Sequence, residues 1–148
     1  MALLVRSGDE LDLAAVVALD PLALADPARR DFIQRSIAAR CCHVACEGNA
    51  VLGYAVLECS FFGNGFISML FVAEGARRRG VGTALMRRLE AECLTPKLFT
   101  STNLSNLPMQ SLLAKCGYAL SGVIHNLDED DPELVYYKRL KREEAVKR

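Results

Sequence analysis

The chain has 148 residues, of which 51% are apolar, with 18 basic and 18 acidic side chains. That length suits one domain around one core, and the apolar content is too high for disorder. Balanced charge gives no overall field toward nucleic acid or a membrane surface, and no apolar run approaches the roughly 18 residues of a membrane span.

Leu3 to Val5 reads as a short first strand. Ser7 and Glu10 have the S-x-x-E spacing of a capping box, so a helix is expected to open there. It should run through Leu11, Ala14, Ala15 and Ala18 and stop near Asp20-Pro21, because a residue before proline is pushed out of the helical region. A second helix should start at Asp26 with Pro27 in its first turn, and Phe32, Ile33 and Ile37 give it an apolar face. Cys42 to Glu47 is a strand candidate. The turn Gly48-Asn49 leads into a strand from Val51 to Cys59, and Gly63-Asn64-Gly65 leads into another from Phe66 to Ala73. Such short connections favour antiparallel hairpins. The segment FISMLFVA is apolar on both faces apart from Ser68, which predicts a central strand.

From Gly80 to Cys93 the period becomes helical, with Val81, Leu85, Leu89 and Cys93 in one stripe. Lys97 to Ser101 is a short strand, and the helix before it makes a β-α-β crossover with a parallel pair. A helix from about Ser105 to Cys116 should end at Gly117 in a left-handed cap. Strands Tyr118 to Ile124 and Leu134 to Leu140 close the domain, with the acidic loop Asp128 to Glu133 between them. The tail KREEAVKR should fray. The fold class is therefore α/β, with one domain over residues 1–140 and a charged tail over 141–148.

The N-terminus lacks the basic start and long apolar stretch of a signal peptide, so a cytoplasmic protein is expected. Six scattered cysteines, none in a C-x-x-C pair, read as reduced and mostly buried thiols, with no metal site.

Between the central strand and its helix stands Arg77-Arg78-Arg79-Gly80-Val81-Gly82-Thr83. Three arginines ahead of a helix N-terminus are badly placed for the helix dipole unless an anion occupies the spot. Backbone N–H groups of the first turn supply directed donors, and Gly80 and Gly82 let a phosphate approach the backbone. The alternative is a solvated basic run beside a flexible turn. A nucleotide-phosphate binder of another class is set aside, because neither G-x-x-x-x-G-K-[ST] nor G-x-G-x-x-G is present.

The stretch FVAEGARRRGVGTALMRRLE resembles the R/Q-x-x-G-x-G/A acetyl-CoA motif of the GNAT superfamily of N-acetyltransferases, with Arg77, Gly80 and Gly82 at its fixed positions. A later family motif, N-x-x-A-x-x-x-Y-x-x-x-G-F, is matched in register by Asn106, Gly117 and Tyr118. The resemblance implies a single-domain GNAT fold, with a mixed, mostly antiparallel sheet of about seven strands and about four helices. It implies acetyl-CoA as co-substrate, without a metal, and transfer of acetyl to an amine of a small molecule or peptide. Nucleic acid and membranes are not expected partners, and a homodimer is compatible with it. The implied cofactor-binding residues are Leu70, Phe71, Val72, Arg77, Arg78, Arg79, Gly80, Val81, Gly82, Thr83 and Asn106.

Two departures bear on chemistry. Leu113 stands where many family members carry a tyrosine, usually proposed as the acid for the departing thiolate. The helix is read as presenting that position near the thioester; Ser111 could hold a water there or be an ordinary helix serine. No glutamate lies on FISMLFV, where family members often place a base, which leaves Glu58 as the nearest acidic candidate. Glu58 could equally be a solvent-facing glutamate, and a water chain could serve instead. His43 reads as structural, His125 as a residue that could line an acceptor pocket, and the acidic loop as a solvated turn or an attractor of cationic amines. These departures keep a second reading open, a non-catalytic acyl-CoA sensor or regulatory protein.

Overall fold

The computed structural model describes residues 2–140; the charged tail 141–148 lies outside the described residues. The strands are β1 (Leu3–Ser7), β2 (Cys42–Glu47), β3 (Ala50–Phe61), β4 (Asn64–Val72), β5 (Lys97–Asn103), β6 (Ala119–Ile124) and β7 (Glu133–Arg139). The helices are α1 (Leu13–Leu19), α2 (Pro21–Ala25), α3 (Pro27–Ala38), α4 (Val81–Glu92) and α5 (Leu107–Lys115). One mixed sheet runs in the order β1-β2-β3-β4-β5-β7-β6, with β4 in the middle as its two-sided apolar pattern predicts. The pairs β1–β2, β2–β3, β5–β7 and β6–β7 are antiparallel.

Three local expectations are corrected. Ser7 does not open a helix, because it continues β1 opposite His43. The capping box lies two residues later, where Asp9 accepts from Leu11 N at 2.8 Å and the Asp9 N–H donates to Asp12 Oδ2 at 2.8 Å. Asp20-Pro21 ends α1 as expected, but it also begins α2. The Asp20 carboxylate accepts from Leu22 N at 3.0 Å, and Pro21 occupies the first helical position, which needs no N–H donor. Gly65 likewise lies inside β4, and the tight turn is made by Phe62 and Gly63, both at positive φ.

The contacts define two compact units. Among the described residues, the first comprises Ala2 to Glu58 together with Ile67–Ala91. Its core gathers Val16, Val17, Ile33 and Ile37 of α1 and α3 with Cys42, Val44, Tyr54 and Val56 of β2 and β3, and Met69 and Phe71 of β4 pack against it. Under this core lies a polar network. Asp20, fully buried, accepts from the Tyr54 hydroxyl at 2.6 Å and from Arg29 Nε at 3.1 Å. The helix α4 buries Val81, Leu85, Met86 and Leu89, each worth about 1.5–3 kcal/mol. It can approach β3 because residue 53 is glycine: a Cβ there would lie 2.7 Å from the Phe71 carbonyl oxygen and 3.2 Å from Val81.

Among the described residues, the second unit comprises Cys59–Phe66 and the chain from Glu92 to Leu140. An aromatic ladder holds it, with Phe61 meeting Phe66 at 5.1 Å and Phe99 at 5.0 Å, and Phe99 stacked on Tyr137 at 5.7 Å. The acidic loop is not simply solvated. Ser105 binds Asp131 through its N–H and hydroxyl, Asn103 donates to Asp128 at 2.8 Å, and Ser101 donates to Glu133 at 2.6 Å.

Candidate functional site

The turn after β4 is shaped by its backbone. The chain leaves Val72, makes a short 3-10 turn over Glu74–Ala76, then places Arg78 at φ 65° and Gly80 at φ 78°. Position 80 favours glycine for that reason, and a Cβ there would project into open space. The Gly80 carbonyl accepts the first helical bond of α4, from Ala84 N at 3.0 Å. The N–H groups of Gly80, Val81, Gly82 and Thr83 therefore have no intrahelical acceptor, and a glycine cap offers no side-chain oxygen to meet them. Val81 is buried and anchors the turn, while Gly82 and Thr83 are partly exposed.

The three arginines have different situations. Arg77 donates from Nε to the Val72 carbonyl at 3.3 Å, and its guanidinium lies 6.0 Å from the Phe71 ring centroid. Arg79 pairs with Glu47 at the end of β2, Nη2 to Oε1 at 2.6 Å. Arg78 is exposed and has no ion-pair partner among the described residues. Leu70, Phe71 and Val72, at the end of β4, are all partly exposed although the strand is central. Positive side chains, N–H donors without an intrahelical acceptor and an accessible strand end thus adjoin one another. The arrangement suits an anion carrying an extended arm.

The chain matches the Acetyltransferase (GNAT) family over residues 15–118. It belongs to the GNAT acetyltransferase family. Among solved structures, a GNAT-family acetyltransferase from Bacillus cereus ATCC 10987 is similar at 32% identity and TM-score 0.90, with 96% of this chain and 100% of that one covered. The ribosomal-protein-S18-alanine N-acetyltransferase of Escherichia coli shares the fold at 15% identity and TM-score 0.80, with 99% of each chain covered. So does yncA of Salmonella typhimurium, a structure containing acetyl-CoA, at 17% identity and TM-score 0.79, again with 99% of each chain covered. A search of curated proteins gave no match.

Glu58, the candidate base of this GNAT protein, is partly buried near the end of β3, beside Cys41, and makes no ion pair among the described residues. It lies six residues beyond Leu52, whose carbonyl accepts from Ala73 N at 2.8 Å. At about 3.3 Å per residue, that is about 20 Å along β3 from the start of the turn. In the second unit, Asn106 caps α5, its Oδ1 accepting from Met109 N at 3.2 Å. Its motif position thus has a structural use of its own. Gly117, at φ 88°, ends the same helix as expected.

Leu113 is fully buried, so α5 turns this position into the core rather than presenting it. Ser111 and His125 are exposed, and His43 is buried in β2. Among the described residues, no three His, Cys, Asp or Glu side chains gather as a metal site, and no helix is long and apolar enough to cross a membrane.

Sequence reasoning misses Glu47 and the Asp20–Tyr54–Arg29 network. Each joins residues far apart in sequence, and no periodicity signals such a pair. Among the described residues, no disulfide joins any of the six cysteines. Burial pushes the Cys42 thiol up to about 12, which disfavours the reactive thiolate form.

Proposed function

We propose that this GNAT protein is an acetyl-CoA-dependent N-acetyltransferase acting on an amine of a small molecule or peptide, within a domain spanning residues 1–140 and in a cytoplasmic setting. The observation that carries the reading is the turn Arg77–Thr83, with its left-handed Gly80, its N–H donors that have no intrahelical acceptor, and its arginines. In this reading the turn holds the coenzyme A pyrophosphate, and the partly exposed end of β4, Leu70 to Val72, lies along the pantetheine arm.

The amine nitrogen then attacks the thioester carbonyl carbon, the C–S bond breaks, and coenzyme A leaves as the thiolate. An alkyl amine of pKa about 10.4 is neutral in only about one molecule in 2,500 at pH 7, so its proton needs an acceptor. Glu58 or water is that acceptor in this reading.

A specific observation favours the second reading, a non-catalytic acyl-CoA sensor: the family's tyrosine position is a core leucine. Free-thiol detection with purified protein, acetyl-CoA and a panel of α- and ε-amines tests the choice. Amine-dependent thiol release is expected. Calorimetric coenzyme A binding without release across the panel would instead establish the sensor, and no binding would overturn both readings.

A further inference from the structure

The pyrophosphate reading of the turn leaves one residue unexplained. Glu47 places a carboxylate against the very arginine that a phosphate would use. The contact spans 32 positions of sequence and joins the end of β2 to the residue before the helix cap. Arg77 donates only its Nε to the Val72 carbonyl, and among the described residues the one ion pair on this basic turn is that of Arg79 with Glu47. Both side chains are substantially exposed, at 46% for Arg79 and 31% for Glu47. An exposed pair of this kind contributes little to stability, because side-chain entropy and solvent screening offset its attraction. Holding the fold together is therefore a poor account of it.

The pair has a clearer consequence for binding. A guanidinium presents five N–H donors in a planar fork, and a phosphate engages best through two parallel bonds from that fork. Glu47 holds one terminal nitrogen and keeps a negative charge beside the place where a phosphate oxygen would sit. We propose that Glu47 is an internal counter-ion for Arg79, which competes with the coenzyme A phosphates for this guanidinium and so lowers affinity and speeds release of the coenzyme. The inference rests on the pyrophosphate reading and adds to it a residue that sets the cofactor's affinity.

The test is calorimetric titration of coenzyme A and of pantetheine at low ionic strength, where charge effects are least screened. The proteins are wild type, Glu47→Gln, Arg79→Ala and the double variant, each checked by a melting curve. Glu47→Gln keeps the shape and removes the charge. It should tighten coenzyme A about two- to fivefold, the ratio equivalent to about 0.4–1 kcal/mol, and should leave pantetheine unchanged. In the Arg79→Ala background the same change should have no effect. Weaker or unchanged coenzyme A binding by Glu47→Gln would overturn the proposal and make Glu47 an anchor or a bystander. A gain that persists without Arg79 would also overturn it, as a general charge effect. Absence of binding by the wild type would instead remove the pyrophosphate reading, and this proposal with it.

Discussion

Replacing Tyr54 by phenylalanine isolates one hydrogen bond at the base of the first unit. Asp20 is fully buried, and its two oxygens accept from Tyr54, Arg29, Leu22 N and Ala23 N. The substitution deletes a single donor, the hydroxyl at 2.6 Å from Oδ2, and leaves the ring, its 6.2 Å contact with Phe71 and the Arg29 bond in place. A hydrogen bond to a charged acceptor contributes about 1.5–3 kcal/mol. For a chain of this length each kcal/mol moves the melting temperature by roughly 2–4 °C, so the expected fall is about 3–12 °C.

The pH dependence gives a second signature. Burial, then the bond to Asp20, holds the Tyr54 hydroxyl above its ordinary range. Its share of stability is complete below about pH 10, where an unfolded tyrosine ionises, and is lost as pH rises further. The variant should therefore differ most from wild type near neutrality and converge with it in alkali. Thermal melts at several pH values measure both effects. A melting temperature within about 1 °C of wild type would falsify the view that this hydroxyl stabilises the buried carboxylate.

Leu113→Tyr should overpack the core by about 1–3 kcal/mol and lower the melting temperature without accelerating transfer, because the position is buried; a large gain in turnover would show that α5 can turn the phenol outward. Asp12 accepts from both terminal Arg6 nitrogens, Nη1 at 2.7 Å and Nη2 at 2.8 Å, and the Arg6 bond holds its carboxyl below the usual range. That stability is present above about pH 4 and lost as pH falls, so Asp12→Asn should cost about 1 kcal/mol in urea unfolding at pH 7, and the difference should shrink toward pH 3.

The signals legible in the sequence are local ones. Asp26-Pro27 opens α3, Gly117 closes α5, and the apolar run of β4 marks the central strand, because caps and periodicity are written in neighbouring residues. The turn Arg77–Thr83 is legible for the same reason. The capping box is ambiguous because Ser7–Glu10 and Asp9–Asp12 both satisfy a cap-and-acid spacing. Only pairing of Ser7 with β2 excludes the first. The helix α2 escapes sequence reasoning because Asp20-Pro21 is at once a stop and a start. Leu113 shows the deeper limit. Motif spacing identifies which residue stands at the tyrosine position, but the environment of that residue depends on how α5 packs, which spacing does not encode.

In the proposed N-acetyl transfer, the buried leucine weighs less on the chemistry than its motif position suggests, because the two proton transfers of that reaction differ in cost. A thiol of pKa about 8.5 leaves as thiolate at pH 7 with a mismatch of about 1.5 pH units, roughly 2 kcal/mol. An ε-amine of pKa about 10.4 must first lose a proton across about 3.4 pH units, roughly 4.6 kcal/mol. Removing the family's acid therefore affects the cheaper transfer, protonation of the thiolate, whereas the base governs deprotonation of the amine. An α-amine, at pKa about 7.7–8.0, lowers the cost of that deprotonation to about 1 kcal/mol and relieves the demand on any base. In the proposed transfer, with a core leucine at the family's tyrosine position and Glu58 or water as the proton acceptor, α-amines are the acceptors expected to react more readily than ε-amines. In the thiol-release panel α-amines should react first, and their advantage should narrow as pH approaches 10. An ε-amine preferred at pH 7 would mean that this protein holds a stronger base than Glu58 or water.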